Sequence, residues 1–221
     1  MIRIGANGDG GYLIPDDLRN IEYCFSPGVG TKADFEKQLS RLNIRSFLAD
    51  YSVEGPPFHD DHFTFYKKFL GATDTDRFMT LASWKNKYLK NYEGDLLLQM
   101  DIEGHEFEVI MNSPDDLLAQ FRIMVIEFHS LDRLFNPPAF NLHKHCFAKL
   151  TSQFVVAHIH PNNCCGSVTM GPIEIPRVME VTFYNKKRVA NPSVRKDFPH
   201  PLDRDNVPSK IALVLPKCWY T

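Results

Sequence analysis

No stretch of this chain approaches the ~20 consecutive apolar residues of a membrane-spanning helix. The opening residues, MIRIGANGDGGYLIP, lack the long apolar core of a secretory signal peptide. The five cysteines, at 24, 146, 164, 165 and 218, form no C-x-x-C pair, and adjacent Cys164 and Cys165 are badly placed to bridge each other. Reduced thiols and a cytoplasmic location are therefore expected. An excess of one charge is missing too: 25 Lys and Arg face 27 Asp and Glu, for a formal charge of -2. That gives no global support to a nucleic-acid or anionic-membrane partner. There is no internal repeat, low-complexity tract or convincing linker. The 221 residues are expected to form a single domain, with a lead or lid over 1–21, a core over 22–186 and an irregular extension over 187–221. With 43% hydrophobic and 24% charged residues, the chain is globular and large enough to fold without disulfides or metal. Histidine alone is in excess, with nine copies.

Short β-branched and aromatic runs alternate with longer amphipathic ones. Strands are predicted at 22–25, 46–50, 64–70, 96–102, 123–129, 154–160 and 178–184, with an added edge strand possible at 211–215. Between them, Thr31 is placed to cap a helix with Phe35, Leu39 and Leu42 on one face, and Trp84, Phe107 and Phe140–Leu150 mark further helices. Pro137-Pro138 reads as a loop. The alternation predicts an α/β sheet, and the last strands follow one another too closely for a helix, which implies an antiparallel edge.

Ligands of such sheets bind outside the carboxyl ends of the strands. Here those ends carry Gly28 and Gly30, Asp50, Asp101 and Glu103, Glu127 and His129, then His158 and His160. Gly28-Val29-Gly30-Thr31-Lys32-Ala33 satisfies G-x-G-x-x-G/A, and Asp50, about 20 residues on, is placed to bind ribose hydroxyls. This points to a nucleoside cofactor, either a nicotinamide dinucleotide, as in an NAD(P)-dependent oxidoreductase, or S-adenosylmethionine. A non-catalytic Rossmann-like binding module is a further alternative.

Asp101-Ile102-Glu103-Gly104-His105-Glu106-Phe107-Glu108-Val109-Ile110 resembles the D-x-E-G-x-E-x-x-V-L stretch of FkbM-type methyltransferases, a class I S-adenosylmethionine-dependent family. Asp9-Gly10-Gly11-Tyr12, Ser26–Gly30 with Asp34-Phe35-Glu36, and Glu180–Asn185 are similar as well, so the resemblance spans roughly residues 3–186. It implies a seven-stranded, mostly parallel sheet with an antiparallel last strand and helices on both faces. It further implies O-methylation of a hydroxyl on a sugar, glycan or glycosylated metabolite. By position, Gly28 and Gly30 would lie against the methionine and ribose, Asp50 would hold the ribose, and Thr73 and Asp74 would border the adenine. Asp101 would stand at the transfer site, with Glu103 in the same cofactor set. Ser26 occupies the place where class I enzymes often carry an acid, which leaves Asp9 and Asp101 as candidates for the methionine ammonium.

A sugar hydroxyl attacks poorly until it loses its proton or is bound to a metal. Two routes are open: His129 or His160 as general base, or a divalent cation on Asp101, His129 and His160, from strand ends expected to be adjacent. Two imidazoles and a carboxylate suit Mn, Fe or Zn better than Mg. The N-terminal lead and the loops over 130–140 and 161–176 are expected to grip the acceptor.

Overall fold

The computed structural model describes residues 1–220. The chain opens with a hairpin, β1 (Ile2–Gly5) and β2 (Gly11–Ile14), whose turn carries the Asp9-Gly10-Gly11 segment. It continues through β3 (Tyr23–Pro27), α1 (Asp34–Arg41), β4 (Arg45–Ala49), β5 (Phe63–Tyr66), the short pair β6 (Phe69–Leu70) and β7 (Phe78–Met79), and α2 (Leu81–Leu89). Next come β8 (Leu96–Met100), α3 (Glu106–Asn112), α4 (Asp115–Ala119), β9 (Phe121–Phe128) and α5 (Pro137–Gln153). The last elements are β10 (Phe154–Pro161), the hairpin β11 (Ser167–Met170) with β12 (Ile173–Pro176), and β13 (Met179–Asn185). No helix among the described residues is long and apolar enough to cross a membrane.

Seven strands form one sheet in the order β10-β13-β9-β8-β3-β4-β5. All its pairs are parallel except those of β13, which runs antiparallel to both β9 and β10. The expected antiparallel strand is therefore present but not at the edge. It inserts between β9 and β10, reached through the β11–β12 hairpin.

Alternation along the strands sends side chains to two apolar layers. Phe25, Leu98, Met124 and Ile126 pack with Trp84, Phe107 and Leu150 beneath α2, α3 and α5. Cys24, Leu97, Ile123 and Val125 pack with Phe35, Leu39 and Tyr12 beneath α1 and the N-terminal hairpin. On this second face the side chains two residues nearer the rim turn polar: Cys24 gives way to Ser26, Leu97 to Gln99, Val125 to Glu127, and Thr182 to Glu180. All four of these polar residues are buried.

Several local expectations are corrected. Helix α1 starts after Ala33 with no side-chain cap from Thr31, and it ends at Arg41, so Leu42 is exposed and Glu36 takes a buried place beside Phe35 and Leu39. Pro137 and Pro138 lie inside the first turn of α5, where a missing N–H costs nothing and the Asn136 Oδ1 accepts from Ala139 N. The run at 64–70 breaks at Lys67-Lys68 into β5 and β6. Residues 211–215 form no strand, because Ile211 and Val214 face solvent and only Leu215 is buried.

Candidate active site

The glycine turn after β3 is held from two sides. Gly28 N donates to Ala49 O at 2.8 Å, and Asp101 N donates to Pro27 O at 3.3 Å. Gly28 has φ +87°, and a Cβ there would sit 1.5 Å from the Asp101 carbonyl oxygen. Glycine is thus demanded at 28 by the chain itself. Gly30 differs: nothing lies within 4 Å of the position its Cβ would take. Its N–H donates to Asp50 Oδ2 at 2.9 Å, while Asp50 Oδ1 accepts from Ser52 N and Oγ. The Asp50 carboxylate therefore braces the turn from behind.

A cavity of about 340 Å³ opens over this turn, with Gly28, Gly30, Tyr12, Glu36, Gln99 and Asp101 in its wall. Asp9 and Glu103 also border it; Asp9 pairs with Lys32 at 2.5 Å. Ser26 lies buried beneath, its hydroxyl between the Glu36 carboxylate and Gln99 Oε1. Thr73 and Asp74 stand outside the wall and are exposed. Asp74 accepts from Thr80 N at 2.9 Å and Ser83 Oγ at 2.6 Å, which fixes the start of α2.

Beyond β8 the chain turns sharply, with Glu103 at φ +57° and Gly104 at φ +109°. That turn points the Gly104 and Ile102 N–H groups at the fully buried Glu106 carboxylate, at 3.0 and 3.3 Å. The same Oε1 meets His129 Nδ1 at 3.0 Å. With Nδ1 committed, His129 Nε2 faces Asp101 Oδ1 at 3.8 Å and Glu127 Oε1 at 3.9 Å. Each of Asp101, Glu127 and His129 offers one ligand atom, all within 4.8 Å of one another. Asn162 donates to Glu127 Oε1 at 2.9 Å, whereas Glu127 Oε2 and Asp101 Oδ1 are buried with no hydrogen-bond partner.

Electrostatics follow from this crowding. Burial pushes Asp101 up to about 7; His129 opposes the rise, and Glu103 and Glu106 add to it. Burial, then the charges of Asp101 and Glu180, raise Glu127 well above the carboxylate range. Burial favours neutral His129, but its bond to Glu106 and the surrounding acids outweigh that and raise its pKa.

His160 is not part of this cluster. Because β13 intervenes, His160 opposes Glu180, which in turn opposes Glu127. Two strand spacings, roughly 10 Å, separate it from Glu127. Its ring instead lies 3.8 Å from Asp203, which also binds His158 Nε2 at 2.8 Å. Sequence reasoning set Glu127 on the rim without giving it a role, left Glu106 as part of a motif, and missed Asp203 entirely. Asp203 sits in an irregular segment without periodicity, so only its chemistry could have marked it.

An open sheet in this order, with one inserted antiparallel strand and a glycine turn at the rim of β3, is the class I Rossmann-like methyltransferase fold. Residues 48–153 match the family described as the methyltransferase FkbM domain, so that segment is similar to FkbM-type methyltransferases. No curated protein matches the chain. Among solved structures, the chain is similar to a fibrillarin/Nop5p complex at 12% identity and TM-score 0.43, covering 76% of this chain and 74% of that one. It is also similar to a precorrin-6y C5,15-methyltransferase from Geobacter metallireducens GS-15, at 13% identity and TM-score 0.39, covering 75% and 81%.

Proposed function

We propose that this domain transfers a methyl group from S-adenosylmethionine to a hydroxyl of a sugar, glycan or glycosylated metabolite. The observation that carries the reading is the cavity walled by the glycine turn and by Asp101, which lies beside His129 and Glu127. The cofactor fits the residues present: Gly30 leaves open space at the turn, and buried polar groups line the floor. Gly28 and Gly30 would take its methionine–ribose part, and Asp101 would stand where the methyl leaves.

Methyl transfer from a sulfonium is an in-line displacement, so positioning supplies much of the rate. Glu106 holds His129 by Nδ1, and Nε2 is left to receive the acceptor hydroxyl proton; such a base contributes about 10²–10⁴-fold. The unpartnered Asp101 Oδ1 beside Nε2, with the Glu127 carboxylate whose Oε2 is also unpartnered, suits a divalent cation. When bound, a cation supplies orientation and a lowered hydroxyl pKa. With Glu127 in place of His160, the donor set is two carboxylates and one imidazole, which favours Mg or Mn over Zn. The same acids repel anionic acceptors, which supports a neutral polyol over nucleic acid.

Labelled methyl transfer across free and oligomeric sugars, run with chelator and with single divalent cations, tests the reading. Transfer that needs Mg or Mn supports the metal-assisted route. Full activity in chelator leaves His129 alone as the base. A chain that binds no S-adenosylhomocysteine overturns the proposal.

A further inference from the structure

We propose that Glu36 is the carboxylate that receives the primary ammonium at the amino-acid end of the cofactor, an assignment that rests on the methyltransferase reading above. Ser26, at the end of β3, supplies only a neutral hydroxyl where a carboxylate would otherwise meet the turn. Helix α1 returns a carboxylate to that place: Glu36 points inward, is 3% exposed, and hydrogen-bonds Ser26 Oγ. It lines the same cavity as Gly28, Gly30 and Gln99.

The other acids of that wall are committed elsewhere or exposed. Asp9 pairs with Lys32, Asp34 and Glu103 are exposed, and Asp101 lies on the side of the cavity next to His129, 3.8 Å from its Nε2. Among the described residues no basic side chain pairs with Glu36; its hydrogen-bonding neighbours Ser26 and Gln99 are neutral, and the one charge acting on it, Asp34, is of like sign. A buried carboxylate so placed is costly to keep ionised unless a cation compensates it. Burial, opposed by the Ser26 hydroxyl, accordingly pushes Glu36 up to about 7. A ligand ammonium gives the acid a purpose, and Gln99, bonded through Nε2 to Tyr12 at 3.2 Å, fixes the hydroxyl that orients it.

The test compares two ligands on two proteins by calorimetry: S-adenosylhomocysteine and its des-amino analogue, on the wild-type chain and on Glu36→Gln. In the wild type, loss of the amino group should weaken binding about 10- to 100-fold, the range of a hydrogen bond to a charged group. Glu36→Gln should weaken S-adenosylhomocysteine by the same factor and leave the des-amino analogue unchanged. Equal losses for both ligands, or no loss for either, overturn the assignment while leaving the cofactor site intact. A wild-type chain that binds neither ligand overturns the methyltransferase reading, and this assignment with it. Should Glu36→Gln fail to fold, Glu36→Asp keeps the charge but withdraws it by one methylene. It should show a smaller loss confined to S-adenosylhomocysteine, and a loss shared by both ligands overturns the assignment.

Discussion

Two groups of histidine and acid lie on the same sheet rim and serve opposite ends. Around β8 and β9, Asp101, Glu127 and His129 gather beside a cavity and leave carboxylate oxygens without partners. Around β10 and β13, Asp203 ties His158, and Asn206 donates to Glu180 at 2.7 Å. That second group is roofed by the C-terminal segment, which Asn163 also grips through Val207 N at 2.8 Å. The same residue types thus gather beside an open cavity in one place and tie down the C-terminal segment in the other, and each group keeps buried polar atoms without a partner, Asp101 Oδ1 and Glu127 Oε2 in the first and both ring nitrogens of His160 in the second. What covers them, more than composition, separates the two.

The largest effect expected is on the open side. His129→Ala should cut methyl transfer about 10²–10⁴-fold with S-adenosylhomocysteine affinity held, read by steady-state kinetics beside calorimetry. If activity and cofactor binding fell together, the two groups would not differ in the way described. On the clasp side, Asp203→Ala strips His158 of its partner in a place where the Asp203 side chain is only 7% exposed. It should lower stability by about 3 kcal/mol in urea unfolding, with the chemistry unchanged in the folded fraction.

A pH dependence follows from the clasp's own charges. Burial works against the charged form of Asp203, but its hydrogen bond to His158 and the nearby His160 ring hold the carboxyl well below its usual range. Its contribution is therefore present above the unfolded value of about 3.9 and lost only as pH falls through the lower folded value. For His160, burial works against the charge, yet Asp203 and Glu180 prevail over it and over Arg3, and its pKa rises. That contribution is complete below about pH 6.5 and is lost as pH rises through the folded value. Burial pushes Glu180 up to about 7, against His160 and Asn206, so its ionisation loosens the same region in the same direction. Proteolysis within 187–215 should be slower at pH 6 than at pH 8.5, and Asp203→Asn should shrink the difference. The smallest effect concerns Asp74. As the brace at the start of α2, its replacement by Ala should cost about 1 kcal/mol and leave cofactor affinity alone. A loss of affinity would restore it to the adenine border.

Much of this was legible from residue order. Apolar runs ending on Gly28, Asp101 and His129 marked both the strands and the rim, because a buried parallel strand and its functional end differ sharply in polarity. The insertion of β13 was not legible, since no local pattern says which neighbour a returning strand joins. The error at His160 follows from that single fact. Glu36 was hidden for another reason: an acid in the first turn of an amphipathic helix ordinarily faces solvent, and only the true start of α1 turns it inward.

The contact between Gly28 and the Asp101 carbonyl has a mechanical consequence. The turn that would cradle the cofactor and Asp101, the residue proposed for the point of transfer, share one backbone joint with no clearance. A side chain at position 28 would lever the transfer residue off its mark as well as crowd the turn. Affinity for the donor and alignment of the reaction therefore cannot be tuned separately at this point of the chain.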